Sequence, residues 1–300
     1  MRLLFGFFRW LLVACTGRGY DRSDRVNTLH HKLAYRLHRR LPQFGIVGLQ
    51  KVAPPALDGR HLYVRAEDGG VGHQFIMYRE YEPFETEIVR ERLKPGMTVF
   101  DIGANIGYYV TLASICVGET GRVIAFEPAP ENLELLRRTV TENHLDNVTI
   151  VECAVGAEDG MATLALSPTN SGDHQLRGDT HREGVVVPVR SIDSLIGAGL
   201  PRPDAIIMDV QGSELDVLIG MKGLIDLHPP EFLMTEYWPR GLDARHPNGG
   251  ATYLNTLLEA GFSIRIIDAK HKRLRELPQS KTGQTDFEGE VNLLCVRTKS

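Results

Sequence analysis

Short apolar runs alternate with amphipathic segments along most of the chain. Apolar runs bounded by turn residues predict buried strands, and apolar positions three to four residues apart predict helices. The predicted core strands are 98–102, 122–126, 147–151, 205–209, 231–236, 263–267 and 291–296. The helices predicted between them are 108–117, 130–142, 213–221 and 253–260. This alternation favours an α/β fold, with a doubly wound, mainly parallel, seven-stranded sheet that has helices on both faces.

Other elements are predicted outside this alternation. They are strands 61–65, 74–78, 162–166 and 185–189 and helix 83–93. A long polar loop rich in Gly, Asp and His, residues 167–184, lies between two of these strands. Loops of this length in compact domains are commonly functional, so we expect it to act as a lid over a site.

The N-terminal segment differs in charge from the rest of the chain. Residues 1–60 carry a net charge of +8, although the whole chain carries −4. Arg9 divides the apolar stretch at 1–15, which is too short to span a bilayer. Residues 1–60 are therefore predicted to be a basic helical extension in front of a catalytic or binding domain at 61–300. The extension is either an amphipathic segment on an anionic membrane surface or a tail that is mobile or packs on the protein itself.

Composition excludes several classes of protein. The 300 residues contain 42% hydrophobic and 24% charged residues, which is typical of a globular protein. A net charge of −4 gives no basis for nucleic-acid binding. The four cysteines are scattered, with no C-x-x-C pair. Cys116, Cys153 and Cys295 are in apolar surroundings and are predicted to be buried thiols of a reducing compartment. This favours a cytoplasmic location, with or without contact to the membrane surface.

The most informative motif is VFDIGANIGYYVTL at 99–112, where a strand turns into a helix. It brings Asp101, Gly103, Asn105 and Gly107 to the carboxyl end of the strand, where open α/β sheets bind their ligands. A dinucleotide would put its pyrophosphate at this helix N-terminus. The carboxylate of Asp101 would repel a pyrophosphate, so the motif favours a cationic or neutral ligand.

A second carboxylate, Glu127, follows the next strand, 20 residues after Gly107. An acidic residue at this place can accept hydrogen bonds from ribose hydroxyls. A site for a ribose without a phosphate fits S-adenosyl-L-methionine, an adenosine that carries a sulfonium amino acid. Ala154, after the third strand, is then expected to lie along the adenine.

The motifs of this chain resemble those of the FkbM family of S-adenosylmethionine-dependent methyltransferases. The matching pieces are DIGANIGYY, FEP followed by Asn132, CAVG, SIDSL and MDVQGSEL, and they cover about residues 75–240. The resemblance implies a Rossmann-like methyltransferase fold, Asn132 as part of the cofactor site, and O-methylation of sugar or polyketide hydroxyls. One difference is Gln211, where family members often have Glu, so Gln211 is assigned no acid–base role.

Three residues are predicted to serve catalysis. Asp209 ends the strand beside the first one, and we expect it to orient the acceptor or take its proton. It could instead only cap the following helix. Glu236 is expected to bind the acceptor, or else to be a buried paired carboxylate. His174, with Asn170 and Ser171, lies in the polar loop and is a candidate base or acceptor contact. Glu214 has either a functional role or a favourable position in the first turn of a helix.

The predicted enzyme transfers a methyl group to a hydroxyl of a sugar, a glycolipid or another hydroxylated natural product. No metal is expected, because no third ligand accompanies Asp209 and Glu236. Two alternatives stay open: a nicotinamide-dependent oxidoreductase on a similar sheet, and a catalytically inactive binding module tethered to a membrane. The sequence does not determine the acceptor or the oligomeric state.

Overall fold

The computed structural model describes residues 25–176, 182–277 and 289–298. Its helices are α1 Arg25–His38, α2 Val71–Met77, α3 Pro83–Arg92, α4 Tyr108–Val117, α5 Pro130–Glu142, α6 Ile192–Gly197, α7 Glu214–Gly220, α8 Lys222–Leu227, α9 Pro239–Arg245 and α10 Gly249–Glu259. Short 3₁₀ turns lie at Leu41–Phe44, Pro55–Leu57 and Ala269–His271.

The strands belong to one large sheet and two small ones. They are β1 Leu49–Val52, β2 Leu62–Arg65, β3 Thr98–Ile102, β4 Arg122–Phe126, β5 Val148–Val151, β6 Ala154–Val155, β7 Gly160–Ala165, β8 Gln175–Leu176, β9 Gly184–Arg190, β10 Ala205–Met208, β11 Phe232–Tyr237, β12 Phe262–Asp268, β13 Arg273–Glu276 and β14 Val291–Arg297.

The large sheet has the order β13-β12-β14-β11-β10-β3-β4-β5. Its five strands from β11 to β5 are parallel to one another, whereas β14 is antiparallel to both β11 and β12. The predicted doubly wound, mainly parallel sheet is therefore confirmed. All seven predicted core strands belong to it, and β13 adds an eighth strand at the edge.

Alternating side chains of the central strands bury both faces of the sheet. Val99 lies in the apolar core on the face covered by α3, α4 and α5, and its neighbour Phe100 lies in the core on the face covered by α6, α7, α8 and α10. Because both faces are covered, the central strands are apolar along most of their length. Asp101 interrupts that apolar run in β3, lying in register between Ile207 and Ala125.

The segments around the large sheet form two small sheets and a helix. Strands β6, β9, β7 and β8 make a four-stranded sheet beside the polar loop. The prediction of a strand at 74–78 is wrong, because this segment belongs to helix α2. Val71, Phe75 and Ile76 are buried at helical spacing, so their packing stabilises a helix here.

The described part of the basic extension packs on the domain. Strand β1 pairs with β2 across residue 60, and Leu41 and Leu57 are buried in the same core cluster as Val99. Residues 1–24, which hold the apolar stretch, lie outside the described residues, and the boundary at residue 60 stays a prediction. Among the residues that the structure covers, no helix combines the length and apolarity that a bilayer crossing requires.

Candidate active site

A cavity of about 1110 Å³, including space open to solvent, lies at the carboxyl ends of β3, β4, β10 and β11. Nine of the ten residues predicted for the site line it: Asp101, Gly103, Asn105, Glu127, Asn132, Ala154, His174, Asp209 and Glu236. The tenth, Gly107, begins helix α4 and does not line the cavity. Parallel strands end at one edge of the sheet, which is why residues far apart in sequence meet here.

Asp101 is a buried carboxyl at the floor of this cavity. It is 3% exposed, and its Oδ2 accepts no hydrogen bond from the described residues. Burial, and then the nearby Glu127 and Asp209 carboxylates, raise the pKa of Asp101 to about 8. A buried carboxyl with a free oxygen is costly unless a ligand satisfies it. Asp101 is therefore suited to a cationic or hydrogen-donating ligand.

Glu127 follows β4 and is fixed by backbone amides. Its Oε2 accepts from the Asn105 amide at 2.8 Å and its Oε1 from the Ala129 amide at 2.8 Å. Burial raises the pKa of Glu127 to about 7, although these hydrogen bonds act in the opposite direction. A carboxylate oxygen has more than one acceptor position. Both oxygens can thus still accept from a diol in the cavity.

Two glycines of the motif are required by close contacts within the protein. Gly103 has φ +91°, and a Cβ there would lie 1.9 Å from the Asp209 carbonyl oxygen. Gly107 has φ +92°, and a Cβ there would lie 2.7 Å from Leu136 Cδ1 on α5. Only glycine readily combines this backbone conformation with so little space. Gly103 lets the ends of β3 and β10 approach, whereas Gly107 lets α4 begin against α5.

The polar loop is fastened across the cavity at Ser171. The Ser171 carbonyl oxygen accepts from Asn105 Nδ2 at 3.0 Å and from Asn132 Nδ2 at 3.1 Å. Its hydroxyl donates to Asp68 Oδ2 at 2.6 Å. The side chains of Asn105 and Asn132 therefore hold the loop against the cofactor side of the cavity. Residues 177–181 of the predicted lid lie outside the described residues.

Asp209, Gln211 and Glu236 form a hydrogen-bonded group at the other side of the cavity. Gln211 Nε2 donates to Asp209 Oδ1 at 2.6 Å and to Glu236 Oε2 at 3.0 Å. Burial raises the pKa of Asp209, and burial followed by the charge of Asp209 raises that of Glu236 far more. Two close carboxylates do not readily ionise together, so this pair favours one proton, held by Glu236.

Gln211 reaches both carboxylates from an unusual backbone conformation. Its φ is +52°, and two other residues that line the cavity, Glu82 and Asn105, have φ values of +42° and +49°. Non-glycine residues rarely adopt such values, and they cluster at functional sites. Three non-glycine residues with positive φ therefore line the same cavity.

Glu214 brings a third carboxylate to this group. One oxygen of each of Asp209, Glu214 and Glu236 lies within 4.8 Å of the others. The Oε1 of Glu214 accepts from the amides of Val210 and Gly212 at 3.2 Å, and burial raises its pKa to about 7. These two amides belong to the turn before α7, and Glu214 itself lies in the first turn of that helix, where the helix dipole favours a carboxylate. Oxygen ligands for a hard cation such as Mg²⁺ therefore exist here, and the expectation that no third ligand accompanies Asp209 and Glu236 is wrong.

His174 lines the cavity, but one of its ring nitrogens is occupied. Its Nδ1 accepts from the Ser167 amide at 3.0 Å, and burial lowers its pKa. A neutral imidazole whose Nδ1 accepts carries its proton on Nε2. This tautomer can donate a hydrogen bond to an acceptor molecule but has no free lone pair for a proton. The geometry thus favours the acceptor-contact alternative for His174 over the general base.

Sequence reasoning missed a hydrogen-bonded group of three residues in the cavity: Glu82, Tyr109 and Asn292. Glu82 accepts from the Tyr109 hydroxyl at 2.7 Å and from Asn292 Nδ2 at 3.2 Å. Burial, and then the charge of Glu85, raise the pKa of Glu82 to about 8. Glu82 precedes the first core strand, where no strand-end pattern marks it. The double tyrosine at 108–109 is the only local sign.

Comparison with known proteins finds methyltransferases that are similar to this chain in sequence. The sequence model of the methyltransferase FkbM domain matches residues 101–264. The chain is 29% identical over 143 residues to the hexuronic acid methyltransferase AglP of Haloferax volcanii. The aligned residues cover 46% of this chain and 56% of that protein. The chain is also 38% identical over 77 residues to the 31-O-demethyl-FK506 methyltransferase FkbM of Streptomyces tacrolimicus. That alignment covers 25% of this chain and 28% of that protein.

A solved structure of a methyltransferase FkbM from Methylobacillus flagellatus is also similar. It has 18% identity and a TM-score of 0.42, and the match covers 90% of this chain and 60% of that one. The chain spans little more than half the length of AglP.

Proposed function

This chain belongs to the FkbM family of S-adenosylmethionine-dependent methyltransferases, and on that premise we propose that it methylates a hydroxyl oxygen of a sugar, a glycolipid or another hydroxylated natural product. Membership in this family replaces the alternative of a nicotinamide-dependent oxidoreductase. The observation that carries the proposal is one cavity with Asp101 and Glu127 on one side and Asp209 and Glu236 on the other.

The residues of the first side fit the cofactor. Asp101 has a buried oxygen without a partner, which suits the positively charged amino-acid part of S-adenosylmethionine. Glu127 is held by two backbone amides and suits the two hydroxyls of the ribose. Ala154 lines the same cavity and suits the flat face of the adenine. When bound, the cofactor supplies a methyl group made electrophilic by its sulfonium.

The residues of the second side suit an acceptor hydroxyl. Methyl transfer to oxygen requires the hydroxyl to be aligned and to lose its proton. We assign the uptake of that proton to the carboxylate of Asp209, whose Oδ1 is oriented by Gln211. Glu236, with its strongly raised pKa, is the protonated neighbour that donates to the acceptor. The loop is held at Ser171 by Asn105 and Asn132, and we expect it to shield the cofactor side from water.

The AglP relative supports a sugar as acceptor, because its name gives hexuronic acid as its substrate. The test is incubation of the full chain with labelled S-adenosylmethionine and fractionated glycans and glycolipids of the source cell, followed by mass spectrometry. We expect one fraction to gain a methyl group on oxygen, and Asp209→Asn to prevent this. Cofactor binding without transfer to any fraction would favour the inactive binding module.

The N-terminal segment is proposed to attach the enzyme to anionic membrane surfaces. The proposal is based on the apolar and arginine residues at 1–25. Deleting residues 1–25 should release the protein from vesicles with anionic lipids and leave methyl transfer to a water-soluble acceptor unchanged. Equal vesicle binding by both forms would refute the attachment.

A further inference from the structure

The active-site cavity opens into a wider groove. Asp209, Gln211, Glu236 and Asn292 line both spaces, so the groove begins where the acceptor hydroxyl is proposed to lie. Helix α1 with the residue that follows it forms one wall of the groove, and the segment around β13 forms another. An acceptor that reaches Asp209 therefore contacts these walls.

Helix α1 presents a basic face to the groove. Lys32, Tyr35, Arg36 and Arg39 line it, at intervals of three, four and seven residues from Lys32. This spacing puts them on one side of a helix. Ala34 and His38 are buried on another side, and the His38 ring lies 4.8 Å from that of His73. The packing of α1 on the domain thus orients its basic face.

The wall around β13 adds Lys270 and Arg275. All five cations of the two walls lack an ion pair or a side-chain hydrogen bond to any residue within 25–176, 182–277 and 289–298. Among the other charged residues of the groove, Arg182 pairs with Asp173 at 2.9 Å, and Asp268 pairs with His271 and Arg273. Positive charge is therefore available on the walls.

The floor of the groove carries the carboxyl groups of Asp209, Glu236 and Glu82. The negative charge among them is on Asp209, because Glu236 is the protonated neighbour and burial raises the pKa of Glu82 to about 8. An acceptor that fits must place an uncharged hydroxyl over these carboxylates and negative groups against the walls. Tyr35 is 46% exposed and offers a ring face, and its Cε2 lies against Gly69. Aromatic rings of this kind pack on the apolar face of sugars.

We propose that the acceptor is an acidic saccharide, whose carboxylate or phosphate groups bind Lys32, Arg36, Arg39, Lys270 and Arg275 while a ring hydroxyl faces Asp209. This inference rests on the proposed function and adds the class of its substrate. A nucleic acid fits less well, because its phosphate at every nucleotide would be brought against the acidic floor. The saccharide separates its hydroxyls from its charges.

The test measures binding by calorimetry to the full chain with S-adenosylhomocysteine present. The probes are a hyaluronan tetrasaccharide, its carboxyl-reduced uncharged form, inorganic pyrophosphate and a single-stranded RNA oligomer. The variants are Arg36→Glu and Arg39→Glu, with Arg40→Glu as the control, because Arg40 is exposed next to the groove but does not line it.

We expect an acidic probe to bind more tightly than the uncharged form and to lose affinity as salt is added. Each groove variant should weaken this binding about 10-fold, the size of one lost charge-assisted hydrogen bond, and the control should change it by less than about 2-fold. The tetrasaccharide and pyrophosphate arms distinguish carboxylate from phosphate as the preferred group. The exposed positions make the variants fold normally, which their thermal unfolding checks.

Three results would overturn the inference. The first is that both acidic probes bind wild type and Arg36→Glu equally. The second is that Arg40→Glu weakens binding as much as the groove variants do, and the third is that the RNA binds most tightly of all the probes. Failure of the proposed function would give a different experimental result. Labelled methyl transfer would then be absent from every hydroxylated fraction, whatever the charge of the probes that bind.

Discussion

The side-chain amide of Gln211 lies 2.6 Å from the carboxylate of Asp209 and also reaches Glu236. In this chain Gln211 is the residue that joins the two carboxyl groups, because it donates to both. The sequence assigned it no acid–base role, and its amide cannot take a proton. Its geometry gives it a positioning role instead.

Replacing Gln211 tests that role. Gln211→Glu adds a negative charge between Asp209 and Glu236, which raises the pKa of both further. The rising limb of the kcat profile should move to higher pH, and kcat at neutral pH should fall about 10-fold or more. The control is Gln43→Glu, an exposed position outside the cavity. An unchanged pH profile in Gln211→Glu would refute the positioning role.

Substitutions at Asp101 and at Asp209 are expected to impair different steps, cofactor binding and turnover. Asp101→Ala should abolish measurable cofactor binding, because it removes the partner of the cationic group. Asp209→Asn should reduce turnover about 100-fold or more through loss of the base, while cofactor affinity stays within a few-fold. Calorimetry and initial rates measure the two effects separately. Equal loss of cofactor affinity in both variants would contradict this division.

Cofactor binding should release protons near pH 7. The pKa of Asp101 is about 8 in the free protein, so the group is mostly protonated at neutral pH. A bound cation favours the carboxylate and lowers that pKa, so the proton leaves on binding. Apparent affinity should therefore rise from pH 6 to pH 8, and the heat of binding should differ between phosphate and Tris buffers. Identical heats in both buffers would show that no proton is released.

The buried carboxyls also predict how stability depends on pH. Glu82 and Asp101 have pKa values of about 8, and Glu127 and Glu214 of about 7. Between the pKa in the unfolded chain, about 4, and these values the folded state binds more protons than the unfolded state. The free energy of unfolding is therefore highest at acidic pH in this window and falls as pH rises to about 8.

Thermal unfolding from pH 6 to pH 9 checks this slope. Glu82→Gln should make the loss of stability with rising pH smaller, because it removes one of the groups that must ionise. Glu158→Gln is the matched control, since Glu158 is exposed. Two results would contradict a raised pKa for buried Glu82. One is a thermal unfolding midpoint that does not change with pH, and the other is an equal dependence of that midpoint on pH in Glu82→Gln and wild type.

The group of Asp209, Glu214 and Glu236 raises the question of a metal. We predict that catalysis does not require one, because Gln211 joins two of the carboxyls and backbone amides hold the third. Turnover should survive a strong chelator unchanged. Loss of turnover that magnesium restores would contradict this, and would identify the three carboxylates as ligands.

The sequence could predict the part of the site that depends on strand ends. Asp101, Glu127 and Asp209 each stand at the end of a run that reads as a buried strand, and parallel strands bring their ends together. The sequence could not predict the contact of Glu82 with Asn292, which are 210 residues apart. They meet because β14 runs beside β11, with Asn292 in register with Glu236.

The local pattern of apolar residues also gave one wrong prediction, the strand at 74–78. At 74–78 the alternation of Phe75 and Met77 favours a strand, although both are buried in helix α2. A short segment that is buried on nearly all sides has no clear period, so tertiary packing decides its structure. The role of Ser171 was likewise hidden, because its backbone carbonyl, and not its side chain, accepts from Asn105 and Asn132.

The most direct test of the central claim is calorimetric titration of the full chain with S-adenosylhomocysteine and, separately, with NAD. We predict saturable binding of the former at one site, its loss in Glu127→Ala, and no binding of NAD. Absence of any heat with S-adenosylhomocysteine, or binding that Glu127→Ala leaves intact, would contradict a nucleoside site formed by Asp101 and Glu127.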